Sequence, residues 1–177
     1  MFEEFSKSKT LCQSSFLPED PSKPSEKVLI SKNLFKELIK ICLDALPDKA
    51  YGLVGGKDIY HPQSIYPCST NLRNTPEWKV VFDSFGEFYR NPDLGFVIAP
   101  SEVKTVMDTM AVRDEFFIGV FHSHRFLCAE PTVADTSLSS DPGLLCYIIS
   151  VARPSRPEVG IYRLVNNNCQ KIPFITI

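Results

Sequence analysis

Two of the three histidines in the chain, His122 and His124, lie two residues apart. The run before them, Phe116 to Phe121, is almost unbroken apolar and reads as a buried central strand. Side chains at i and i+2 of a strand point to one side, so both imidazoles can converge on one point where the strand ends. Neutral imidazole nitrogens suit zinc, at about 2.0–2.1 Å. Thr132 and Asp135 follow eight and eleven residues after His124. Pro131-Thr132 has the character of a helix start, which places Asp135 in the first turn, from where its carboxylate can return to the histidines as a third ligand. Two histidines and one carboxylate leave a fourth tetrahedral position for water, the arrangement of a catalytic zinc. Each part also has an ordinary explanation. A His-x-His pair is more often surface or core histidine than metal site, and Thr132-x-x-Asp135 is a plain capping box. The combination, with its spacing, is more specific than either part.

The elements that must hold these residues begin at Val28. Ser31 can cap a helix whose apolar residues Leu34, Phe35, Leu38, Ile41, Cys42 and Ala45 recur at helical spacing, and Pro47 ends it. Tyr51 to Val54 reads as a short strand broken by Gly55-Gly56, Ile59 to Pro67 as a second strand edged by Pro62, and Trp78 to Phe82 as another. Phe82 to Pro92 reads as a loop with a short helical turn. Ser101 to Arg113 is a helix, with Val103, Val106, Met107, Met110 and Ala111 on one face and Pro100 in its first turn. Leu144 to Ala152 and Val159 to Val165 are further strands parted by the turn at 153–157, and Phe174 to Ile177 adds an edge strand. The fold class expected is α/β, one domain with a central sheet flanked by helices.

Composition narrows the function classes. The 177 residues are 44% hydrophobic and 23% charged, enough apolar surface for one buried core, with residues 27–177 as the domain. Residues 1–26, with Pro18, Pro21 and Pro24, read as an arm or linker able to dock through Phe2, Phe5, Leu11, Phe16 and Leu17. Nineteen Lys and Arg against 21 Asp and Glu leave a net charge of −2, so nucleic acid is not the expected partner. No apolar run approaches the ~20 residues of a membrane helix, and the first residues lack a secretory h-region. Six cysteines without a C-x-x-C read as reduced, mostly buried thiols of a cytoplasmic protein.

His122-Ser123-His124, seven residues, then Thr132-Val133-Ala134-Asp135 resembles the His-x-His-x7-Ser-x2-Asp signature of the JAMM/MPN-domain metallopeptidases, which include deubiquitinases and bacterial relatives. The resemblance runs from about residue 28 to 165. Pro47 to Gly55 is similar to the family's Pro-x-Glu-x-Cys-Gly-Leu-Leu-x-Gly block, Phe117 to Phe121 to the strand that feeds the histidines, and Pro142 to Ala152 to the next core strand. It implies a mixed central sheet of cytidine-deaminase-like type and Zn²⁺ on His122, His124 and Asp135. It also implies cleavage at the C-terminus of a ubiquitin-like protein or its conjugates, and a second MPN-type domain or a second copy as partner. A nucleoside deaminase is disfavoured because its Pro-Cys-x-x-Cys half is absent.

Departures from the signature bear on activity. The family's general-base glutamate falls on Lys49, and a protonated lysine accepts no proton and is repelled by Zn²⁺. Turned outward, Lys49 would leave a weak or silent peptidase. Asp48 should face the other side of the chain, and Glu130 is a possible substitute acid. Thr132 stands where the family has the serine that helps hold the tetrahedral intermediate, keeping the hydroxyl but restricting its rotamer. Arg125 replaces the usual proline; it reads as a solvated side chain, with contact to a substrate's acidic or C-terminal group as the alternative. His61 reads as structural or exposed, and Cys128 as a small buried side chain, with a thiolate zinc ligand as the alternative. Two functions stay open: a zinc peptidase impaired at Lys49, and a silent module that binds a ubiquitin-like tail or scaffolds a partner.

Overall fold

The computed structural model describes residues 27–139, 141, 143–165 and 168–177. The expected arm at 1–26 lies outside the described residues. Strand β1 (Val28–Ile30) leads into helix α1 (Lys32–Asp44), whose first turn is capped by Ser31 Oγ accepting from the Leu34 amide at 3.2 Å. The hairpin β2 (Tyr51–Gly56) and β3 (Pro62–Pro67) follows, then α2 (Pro76–Asp83), α3 (Pro100–Val112), β4 (Phe116–His124), α4 (Val133–Leu138), β5 (Leu145–Ser150), β6 (Glu158–Val165), β7 (Asn168–Lys171) and β8 (Phe174–Thr176). Six strands form one mixed sheet in the order β3-β2-β4-β5-β6-β7. Only the β4–β5 pair is parallel, and α4 lies in its crossover. The edge strand expected at the C-terminus forms, but it pairs in parallel with β1 as a separate two-stranded sheet.

Two expectations are corrected. The segment Trp78 to Phe82 is helix, not strand. Thr75 in extended conformation followed by Pro76 starts α2, Lys79 pairs with Asp83 one turn later, and Phe82 is its one fully buried residue, with Trp78 partly buried beside it. The apolar run was too short for periodicity to separate the two states. Gly55-Gly56 does not break β2 either. Both glycines stay in the strand, with a register shift against β4 between Val54 and Gly55.

The core explains why β4 is central. One side of the sheet packs Val54, Phe121, Tyr147, Ile149 and Ile161 against Leu34, Leu38 and Cys42 of α1. The other side carries Cys146, Ile148, Tyr162 and Leu164, with Val120 against them. Strand alternation then puts Phe121 and Ser123 on the α1 side, and Val120, His122 and His124 on the opposite side. A third cluster, Phe82, Tyr89 and Ala134 with Trp78, Phe85, Phe88 and Leu94 around it, roots the loop that faces the histidines. Cys42 and Cys146 are buried as expected, while Cys68 and Cys169 are half-buried and Cys128 is exposed, against the expectation of a buried side chain there. No helix among the described residues is long and apolar enough to cross a membrane.

Candidate metal centre

β4 ends between two partners that fix its last residues. Tyr51 of β2 pairs with His122, and Ser150 of β5 with His124. Ser123 points the other way, where its Oγ accepts from the Ala50 amide at 2.9 Å, while its own amide donates to the Ala50 carbonyl at 2.8 Å. This clamp sets the backbone one residue after Lys49 directly against the histidine strand.

Both imidazoles are buried, at 4% and 9% exposure for His122 and His124. His124 Nδ1 lies 2.8 Å from the Cys128 carbonyl oxygen. A carbonyl can only accept, so Nδ1 carries the proton and Nε2 keeps its lone pair for the pocket. The two Nε2 atoms are 3.1 Å apart. Asp135 is the third residue of α4, and its Oδ1 lies 3.2 Å from His122 Nε2 while Oδ2 lies 3.7 Å from His124 Nε2. Bonds of 2.0–2.1 Å in a tetrahedron give ligand-to-ligand edges of about 3.3–3.4 Å. The three residues therefore fit one zinc-sized ion, with ligand atoms all within 4.8 Å of one another. Burial works against charge on Asp135, but the adjoining imidazoles of His122 and His124 hold its carboxyl well below the ordinary value. A carboxylate kept ionised beside lone-pair nitrogens is the donor set a divalent metal takes.

Thr132 forms the expected capping box, which serves the same carboxylate. Its amide and its hydroxyl both donate to Asp135 Oδ2, at 2.7 and 2.8 Å. The hydroxyl proton is therefore committed to Asp135. Phe96 closes the site from above, its ring 5.2 Å from the His122 ring and stacked on Tyr51 at 4.9 Å.

His122, His124, Asp135, Thr132, Lys49 and Arg125 all line one cavity of about 470 Å³. Lys49 lines this cavity, and the alternative of an outward turn to solvent does not hold. It is half-buried, and its ammonium donates to the Gly95 carbonyl. Burial, then the neighbouring Arg125 charge, lowers its pKa to about 8. Asp48 and Glu130 are exposed and neither lines the cavity; Glu130 instead lies near the Cys128 thiol. His61 pairs with Asp58 at 2.8 Å, away from this cavity. Arg125 donates to the Pro47 carbonyl at 2.5 Å and to that of Asp93 at 3.4 Å.

Several supporting residues were not foreseen. Arg73, 1% exposed, donates to the carbonyls of Leu94 (2.7 Å), Asn91 (3.3 Å) and Tyr89, and stacks its guanidinium on Phe82, pinning the cavity's far wall. Tyr89 accepts from the Ala134 amide at 3.3 Å and ties that wall to α4. Gly95, at φ +76, lies where a Cβ would meet the Phe82 ring at 2.0 Å. Nothing in a loop sequence marks an arginine for burial. Ser123 was legible, since alternation sends it to the face opposite the histidines.

No protein-family profile matches the chain. The CysO-cysteine peptidases of Mycobacterium bovis and Mycobacterium tuberculosis are 25% identical to it over 127 residues, 72% of this chain and 75% of theirs. The solution structure of a Desulfitobacterium hafniense protein aligns with a TM-score of 0.67 and 25% identity, covering 85% of this chain and 92% of that one. A JAB1/MPN domain protein from Archaeoglobus fulgidus aligns with a TM-score of 0.48 and 16% identity, covering 84% of this chain and 98% of that one.

Proposed function

Starting from a chain that has the JAMM/MPN fold and resembles the metallopeptidases of that family, we propose that it is a zinc-dependent hydrolase acting at the C-terminus of a small ubiquitin-like protein. In this reading His122, His124 and Asp135 hold the metal. The observation that carries it is the convergence of these three donors, with separations of 3.1 and 3.2 Å, at the wall of an open cavity. The relative's name, CysO-cysteine peptidase, supports peptide-bond hydrolysis on a protein substrate. A bound zinc would supply a polarised carbonyl and a water of lowered pKa.

The chain's own residues divide the remaining work. Thr132 orients Asp135 and caps α4; its hydroxyl donates to the carboxylate, so it does not donate to a developing oxyanion in this arrangement. Cys128, through its carbonyl, fixes the tautomer of His124. Lys49 occupies the wall where the family resemblance puts a proton acceptor, and near neutral pH it is mostly protonated. Catalysis by this chain is accordingly slow. The silent binding module stays as a second reading, favoured by one observation: apart from Asp135, Asp93 is the only carboxylate lining the cavity among the described residues. Residues 27–177 form the functional unit, with a second MPN-type domain or a second copy as a candidate partner.

Elemental analysis after zinc reconstitution and removal of excess metal is the test. About one zinc per chain is expected. Less than a tenth of an equivalent would end the metal reading and the hydrolase with it.

A further inference from the structure

Lys49 and Arg125 line the same cavity, and of carboxylates among the described residues only Asp93 and Asp135 line it with them. Each bonds main-chain carbonyls: Lys49 that of Gly95, Arg125 those of Pro47 and Asp93. A carbonyl orients a cation but carries no charge to cancel it. Among the described residues neither side chain forms an ion pair with a carboxylate. The Asp93 side chain lines the same cavity and favours the charged lysine, yet the Lys49 pKa still falls to about 8, burial and Arg125 outweighing it. Two like charges are thus held at one half-enclosed site, beside a cluster suited to a dication.

The donors left over define what fits between them. The Lys49 ammonium has N–H groups beyond the one on Gly95, and the Arg125 guanidinium, with five N–H groups, has others beyond those on Pro47 and Asp93. The other walls, Phe88, Leu94, Phe96, Phe126 and Leu127, are apolar. This combination suits an apolar body with a single anionic head, and a volume of about 470 Å³ suits the last residues of a peptide. A polyanion would leave most of its charge against aromatic rings.

We propose that the cavity selects peptides by their free C-terminal carboxylate, which Lys49 and Arg125 hold beside His122, His124 and Asp135. This deepens the peptidase reading and rests on it for the substrate class. It assigns Lys49 a specificity role at the wall where a proton acceptor was expected. Its preferred ligands are chain ends that still carry their carboxylate, not tails already joined to a partner through an amide.

Fluorescence polarisation on the full chain, zinc-reconstituted and zinc-depleted, tests this with labelled Leu-Ala-Gly-Ala as the free acid and as the C-terminal amide. The free acid is expected to bind at least tenfold more tightly. Lys49→Gln and Arg125→Gln should each weaken the acid towards the amide and leave the amide unchanged, and Arg125→Lys should retain part of the preference. Equal binding of acid and amide, no binding of either at millimolar concentration, or equal weakening of both by the two glutamine variants would overturn the proposal. A preference for the acid that persists without zinc upholds it even if the metal reading fails. Full zinc loading with no preference refutes this proposal alone.

Discussion

The two walls of the cavity are held in different ways. His122 and His124 end a strand paired on both sides, and Asp135 receives two hydrogen bonds from Thr132 and sits in the first turn of α4. The Cys128 carbonyl holds His124 and Thr132 holds Asp135, whereas the buried His122 Nδ1 has no hydrogen-bond partner among the described residues. The opposite wall is a loop with a short 3-10 turn at Glu87–Arg90, hung on the buried Arg73 and on Gly95, with Lys49 reaching across to it. The first wall spends its hydrogen bonds on keeping an anion and two lone pairs together. The second brings cations into half-buried positions. A metal would draw the first wall tighter and add to the repulsion at the second. An intact set of candidate metal donors therefore does not by itself imply fast chemistry.

Breaking the first wall should give the largest effect. His122→Ala or His124→Ala removes a ligand, and zinc affinity should fall by more than the ~10–100-fold that loss of an outer partner costs. Circular dichroism should stay native, because the core clusters on both faces of the sheet do not depend on either imidazole. Competition with a zinc chelator reads the affinity, and an unchanged value would remove these residues from the ligand set.

Thr132→Ala should act on the same wall more gently. It removes the cap of α4 and one hydrogen bond to Asp135, at about 0.5–2 kcal/mol of stability and up to ~100-fold in zinc affinity. Thr132→Ser should restore both, since only the hydroxyl is used. Urea unfolding with chelator competition checks this, and a serine variant as weak as alanine would contradict the account.

The second wall should show itself in pH dependence. The Lys49 pKa is about 8 in the folded protein, lowered by burial and Arg125, against about 10.5 when unfolded. Between these values the unfolded chain binds the extra proton, so this group's cost to stability is full below pH 8 and is relieved as pH rises towards 10.5. Relative to Lys49→Met, the unmodified chain should therefore gain stability across pH 8 to 10.5. Urea midpoints of the two proteins over that range measure it, and parallel curves would mean Lys49 is as solvated as a surface lysine.

The sequence told these walls apart unequally. The convergence of His122, His124 and Asp135 was legible because strand alternation and the capping box are local rules, and both hold at His122, His124, Thr132 and Asp135. Helices α1 and α3 were legible for the same reason. Helix α2 was not, because five apolar-rich residues fit either period until Thr75-Pro76 is weighed as a start. For Lys49 the sequence left two orientations open, into the site at the position of the family's glutamate or outward to solvent, because no local rule sees the Ser123–Ala50 clamp that sets the neighbouring backbone against β4. Arg73 was unforeseen, since its partners are carbonyls about twenty residues away that no local pattern reveals.

The comparison is tested most directly by kcat and zinc content measured together for the unmodified chain and Lys49→Glu, on a ubiquitin-like protein extended by one C-terminal residue. Equal loading of about one zinc per chain is predicted, with kcat raised by up to the ~10²–10⁴-fold that general acid–base help contributes and KM raised as the Lys49 cation is lost. An unmodified chain that already turns over as fast as Lys49→Glu at the same zinc content would contradict the account.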